Sequence, residues 1–222
     1  MIKRSATAVA LAILVALCSG CARSDGDIEL LRLLTDPPKT GGELERAKQL
    51  LNAGAEPNAR GENNVTPLML AVSRPDLQMA HLLLERGASI NAHDVRLRTP
   101  LMEACWSASP PLVKMLLERG AKVDARDRNG WTPLMIACIV GHPDVVRLLL
   151  DQGADVNARH GEDGSALTIA AFHGNAEVVR QLLARGADVH VKRRGGWTAL
   201  KYALSQGCSE VAAMLKAHGA TE

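Results

Sequence analysis

The sequence predicts an all-α fold, a solenoid of stacked helix-turn-helix units. Three observations carry that prediction. A tripeptide, Thr66-Pro67-Leu68, returns as Thr99-Pro100-Leu101, Thr132-Pro133-Leu134, Ser165-Ala166-Leu167 and Thr198-Ala199-Leu200, at unbroken intervals of 33 residues. Gly-Ala pairs beginning at Gly54, Gly87, Gly120, Gly153, Gly186 and Gly219 keep the same interval, so two independent registers agree over six copies. The chain is 47% hydrophobic but only 2% aromatic. A core drawn from Leu, Val, Ala and Met suits thin stacked helices better than a β-sandwich, which favours aromatic and β-branched strands.

Each recurring position has a local reason. Thr caps a helix by accepting from an otherwise orphaned backbone N–H, and Pro tolerates the first helical position because it has no N–H to satisfy. A second helix follows, for example over residues 144–152, where Val145, Val146, Leu149 and Leu150 make one apolar stripe at helical spacing. Gly153 suits the left-handed residue that ends a helix without a Cβ clash. Gly130 and Gly196 suit the positive-φ corner of the turn between modules. One such module cannot bury its own apolar face, so neighbours must stack.

The fullest copy, Asn129 to Ala158, carries Thr132-Pro133-Leu134, Gly141-His142, Val145-Val146, Leu149-Leu150 and Gly153-Ala154-Asp155-Val156-Asn157-Ala158. This pattern resembles the ankyrin repeat; the resemblance covers about residues 43–220 and implies β-turn fingers projecting between the stacked helix-turn-helix units. It divides the chain into a degenerate N-terminal repeat at 28–63, full repeats at 64–96, 97–129, 130–162 and 163–195, and a C-terminal capping repeat at 196–222. Ile28, Leu30, Leu31, Leu33 and Leu34 read as the first helix of the degenerate copy. A long loop through Asp36, Pro37, Pro38, Gly41 and Gly42 joins it to a helix ending near Asn52. At the other end Lys216 stands where the second Leu recurs and Ala212 where the second Val does, as expected of a cap. The His that follows T-P-L in the family is replaced by Met69, Met102, Met135, Thr168 and Lys201, which removes its hydrogen bonds between repeats.

The first residues read as an address. Lys3 and Arg4 precede an apolar run from Ala6 to Leu17, followed by Ser19 and Gly20 before Cys21. A basic start, an apolar stretch and a small-residue cleavage zone make an export signal over residues 1–20. The run is shorter than the roughly 20 residues that span a bilayer. Small side chains directly before a Cys resemble the lipobox of bacterial lipoproteins, although Cys18 stands where that family has Leu. The resemblance implies lipidation at Cys21, a short tether at 21–27 and, from Ala22, the outer-membrane inner leaflet; ordinary cleavage to a soluble periplasmic protein is the alternative.

Charge and motif content narrow the function. Lys3 and Arg4 supply the formal charge of +2, leaving 24 basic against 24 acidic residues after them. A neutral domain lacks the field that non-specific nucleic-acid binding needs, so no nucleic acid is expected. Beyond the address remain Cys105, Cys138 and Cys208. Cys105 and Cys138 hold equivalent places in adjacent repeats, where helices lie roughly 8–10 Å apart, too far for a disulfide. The histidines show no metal-ligand spacing, and no phosphate loop or nucleophile elbow is present. The expectation is a monomeric, non-enzymatic binder of a protein partner, with no cofactor and no metal.

In ankyrin repeats partners lie in the concave groove formed by the finger tips and the exposed ends of the first helices. Carried over by position, that resemblance selects Arg96, Arg98, Trp106, Arg128, Trp131, Ile139, Val140, Phe172, His173, Arg194 and Trp197 as partner-binding residues. All three Trp and the one Phe fall at such places, whereas a Trp before T-P-L can also simply cover the turn. A tethered periplasmic adaptor is the leading expectation. An immunity or inhibitor protein against a periplasm-targeted toxin or lipase is the alternative.

Overall fold

The structure is a computed structural model and describes residues 24–36, 41–161, 164–193 and 195–221. These residues form twelve α-helices and a short 3-10 turn, Glu62–Asn64. The helices follow one another in pairs. They are α1 (Asp25–Thr35) and α2 (Glu43–Asn52), α3 (Pro67–Ser73) and α4 (Leu77–Glu85), α5 (Pro100–Trp106) and α6 (Pro110–Glu118). The series continues with α7 (Pro133–Val140) and α8 (Pro143–Asp151), α9 (Ala166–His173) and α10 (Ala176–Ala184), α11 (Ala199–Ser205) and α12 (Ser209–Ala217). Among the described residues there is no β-strand, only an isolated antiparallel bridge between Arg159 and Ser165. The chain divides into two compact units, one reaching to Pro100 and one running from Leu101.

In the first unit α1 packs on α2 and α3, and α4 packs on α2 and α3. Leu30, Leu68, Met79 and Leu83 are its fully buried large side chains. The degenerate first helix is set by a capping box. The Asp27 N–H donates to Ser24 Oγ at 3.1 Å, and the Ser24 N–H donates to Asp27 Oδ2 at 3.1 Å. Asp27 Oδ1 then accepts from the Glu56 N–H at 2.7 Å, binding the start of α1 to the turn after α2.

In the second unit α7, α9 and α11 pack in series as one layer, and α6, α8, α10 and α12 pack in series as the other. Leu101, Met102, Leu112, Leu116, Leu134, Met135, Leu149 and Leu167 are fully buried between them. The α8 stripe of Val145, Val146, Leu149 and Leu150 is buried throughout. That helix starts at Pro143 and is closed by Gln152, one residue earlier at each end than its periodicity predicts, because Pro143 takes the first helical place.

Helices of seven to eleven residues are marginal alone, so caps and packing must hold them. Thr66, Thr132, Ser165 and Thr198 each accept from the N–H three residues on, at 3.3, 3.4, 3.3 and 3.2 Å. Met69, Met102 and Met135, where the family has His, are buried core residues. Thr168 instead completes a capping box, its hydroxyl accepting from the Ser165 N–H at 2.9 Å. Apolar packing or a local cap thus occupies the place of the family's histidine in these four copies, while Lys201 in the fifth is exposed and lies against the Trp197 ring.

Between the paired helices of the second unit the chain turns through Gly141 (φ 75°) and Gly174 (φ 70°). The next module's side chain fills the space a Cβ would take. A Cβ on Gly141 would lie 2.5 Å from Asn175 Nδ2, whose amide donates to the Cys138 carbonyl at 3.1 Å. Gly141→Ala therefore adds left-handed strain and displaces Asn175 from that bond. The expected cost is about 2 kcal/mol, measurable as a lowered urea midpoint at unchanged helical content.

Candidate functional site

The fingers between modules are held from inside. In the first unit Asp94, only 2% exposed, accepts from the N–H groups of Arg96 and Arg98 at 2.8 Å each and from the Arg98 guanidinium at 2.9 Å. In the second unit Asp127 holds the equivalent place, accepting from the N–H groups of Asn129 at 2.8 Å and Trp131 at 2.9 Å. The other fingers lack this Asp. Gly61, His160 and Arg193 stand in its place, and each keeps the backbone closure, donating its N–H to the carbonyl of Val65, Gly164 or Trp197.

Side chains then lace finger to finger. Arg60 donates to the His93 carbonyl at 3.0 Å, Arg126 to that of Arg159 at 2.7 Å and Arg159 to that of Lys192 at 3.2 Å, each reaching its own counterpart 33 residues on. Asn58 donates to the Gly87 carbonyl at 2.9 Å and accepts from the Ser89 N–H at 2.7 Å. Asn157 does the same with Gly186 at 3.2 Å and Asp188 at 2.9 Å. Asp124 accepts from the Asp155 N–H at 3.0 Å. Within each unit the fingers are therefore a preorganised row, which lowers the ordering cost of binding.

The positions selected from sequence separate into two groups in the second unit. Trp106, at the end of α5, is 46% exposed; Val140, at the end of α7, is 37%; Phe172, in the last turn of α9, is 43%. Trp106, Ile139 and Phe172 share one register, with Ile139 half-buried, while Val140 and the exposed His173 share the next. Arg128 is exposed at a finger tip. Trp131 and Trp197 are instead half-buried against their own turns. The Trp131 ring stacks on His160 with centroids 4.6 Å apart, and the Trp197 ring tilts against Tyr202 at 5.0 Å with the Lys201 ammonium 4.9 Å from its centroid. In the first unit Arg96 is exposed, whereas Arg98 is paired with the buried Asp94 at 2.8 Å. Arg194 and Cys21 lie outside the described residues.

Position alone did not select three residues that shape this surface. Tyr202 touches Phe172 edge-to-face at 5.6 Å and accepts from Arg193 at 3.3 Å, so it supports an exposed neighbour. His160 is buried beneath Trp131. Leu204, 42% exposed on α11, stands in the register of the buried Cys105, Cys138 and Ala171, a departure visible once the copies are aligned.

Among the described residues no group of His, Cys, Asp and Glu could hold a metal ion, and no helix is long and apolar enough to cross a membrane. Cys105, Cys138 and Cys208 are free. Burial pushes the thiols of Cys105 and Cys138 well above the ordinary cysteine range, and the neighbouring Cys138 raises Cys105 further. Thiolate formation at neutral pH is thereby suppressed at both. Native protein treated with iodoacetamide at about pH 8 is expected to be alkylated at Cys208 and spared at Cys105 and Cys138 until urea is added. Peptide mass spectrometry reads the difference.

A family model described as ankyrin repeats (3 copies) matches residues 20–127 and 159–221. A second, for a single ankyrin repeat, matches residues 129–161. A comparison with curated proteins finds no match. Paired helices, a finger between each pair and these matches over most of the sequence agree: the chain belongs to the ankyrin-repeat family, whose members are in general non-enzymatic modules for binding other proteins.

Proposed function

We propose that this protein is a membrane-tethered periplasmic adaptor that holds a protein partner on its second unit, through Trp106, Ile139, Val140, Phe172 and His173 with Arg128 at the finger. The observation that carries the reading is the exposure of Trp106, Val140 and Phe172 in a chain whose other large apolar side chains are mostly buried. Exposed apolar groups in one register mark a contact surface, and Trp and Arg are the commonest anchors of such surfaces. Trp131 and Trp197 shape the surface by covering their turns, and Arg98 holds its finger.

The tether is the lipidated Cys21 that the export signal implies. Several acyl chains on one residue anchor stably where one chain alone does not. In cells grown with labelled palmitate, Cys21 is expected to take up label. Cys21→Ala is expected to lose it and move from the membrane pellet to the soluble periplasmic fraction, and a protein that stays soluble and unlabelled throughout sinks the tether.

For the binding surface, the test is recovery of the partner by crosslinking in intact cells followed by affinity measurement with purified proteins. Trp106→Ala and Phe172→Ala are each expected to weaken binding about 10- to 30-fold, with melting temperatures shifted by no more than about 3 °C. Unchanged affinity in both would exclude this face. If the recovered partner is a hydrolase that the protein inactivates, the adaptor reading yields to the inhibitor one.

A further inference from the structure

A pattern of buried sulfur runs through α5 and α7. Met102 and Cys105 on α5, and Met135 and Cys138 on α7, repeat one spacing, Met-x-x-Cys, at the 33-residue interval. All four side chains are fully buried. Residues three apart share one face of a helix, with Cβ atoms about 5–6 Å apart. Each helix therefore carries a thioether and a thiol on one face. α5 and α7 are the first helices of successive modules, whose second helices, α6 and α8, pack together. The two thiols are near enough that a charge on Cys138 opposes one on Cys105. In the other copies the same two registers hold Met69 with Val72, Thr168 with Ala171 and Lys201 with Leu204, so sulfur fills both registers in this adjacent pair alone.

Distance separates two ways of joining the thiols. Stacked helices lie roughly 8–10 Å apart, beyond the ~7 Å that a disulfide bridges. A metal ion replaces the single S–S bond of about 2 Å by two metal–sulfur bonds of about 2.3 Å each, which closes the remaining gap. Ligand chemistry narrows the metal. Thioether and thiolate sulfur together select monovalent copper, whereas zinc takes thiolate, imidazole and carboxylate. Charge narrows it again, because a net charge in the core is costly. One Cu(I) ion that displaces one thiol proton to solvent is left with a thiolate, a thiol and two thioethers around it, and the buried cluster stays neutral.

We propose that Met102, Cys105, Met135 and Cys138 form a buried binding site for one Cu(I) ion. The site lies in the core of the second unit, so it and the surface built on Trp106 and Phe172 stand or fall separately.

The test uses the full chain carrying Cys18→Ser, Cys21→Ser and Cys208→Ser, in which Cys105 and Cys138 are the only thiols left. Reduced protein is equilibrated without oxygen against Cu(I) held by bicinchoninate, a competing chelator. The expected result is one copper per chain and a sulfur-only shell in X-ray absorption. The melting temperature should rise by about 5 °C or more once free copper exceeds its Kd about a hundredfold. Cys105→Ala and Cys138→Ala are each expected to weaken binding about 100-fold or more, and Met102→Leu and Met135→Leu about tenfold. Alanine keeps the fold, since Ala171 fills the same register fully buried in the next copy, and Met→Leu conserves volume. No uptake, uptake only in urea, or uptake that survives Cys105→Ala and Cys138→Ala together overturns the proposal. So does a preference for Zn(II) at equal concentration. Full affinity in both Met variants also overturns it, leaving the thioethers as packing alone.

Discussion

A helix of seven or eight residues that is apolar on nearly every side cannot exist alone in water, and α7 and α9 are such helices. In α9 the six residues from Ala166 to Ala171 are all buried, and in α7 the six from Pro133 to Cys138. Neither helix has a polar face to offer solvent, so each must be covered on both flanks and by its own second helix. Free choice of residue is confined to the outer face of the second helices, the last turn of the first helices and the fingers. Binding residues can change only in the latter two places without disturbing the stack.

The fingers follow a different logic, because their stability is polar. Asp94 and Asp127 satisfy several N–H groups at once, whereas Gly61, His160 and Arg193 in the same place cannot. Those three fingers keep the backbone closure and find other support. His160 stacks beneath Trp131, and Arg193 reaches Tyr202. Backbone carbonyls left at the finger edges are taken by Arg60, Arg126 and Arg159. Loss of the Asp is tolerable because closure depends on the main chain, while the side chain only reinforces it.

Much of this was legible in the sequence. The 33-residue interval fixes where each helix begins, since Thr or Ser must cap and Pro can stand only at the start, and the caps fall there. The apolar stripe of α8 needs only helical spacing to be read. Less legible was the fate of the aromatic residues. Trp131, Trp197, Trp106 and Phe172 all sit at positions that resemblance marks as contacts. Only the neighbours at short range decide that the first two rest on His160 and Tyr202.

The balance of charge constrains how such a protein can recognise anything. With 24 basic and 24 acidic residues beyond Lys3 and Arg4, net charge supplies no field of one sign to draw a partner in. Selectivity must then come from short-range contact and appear in dissociation. That places the burden on the few apolar groups the stack leaves uncovered. It also explains why they sit on preorganised ground: helix ends followed by left-handed turns at Ala108, Gly141 and Gly174, and finger tips held by the carboxylates of Asp94 and Asp127. A loose surface of the same composition would lose, in ordering side chains and backbone, much of what burying those groups gains.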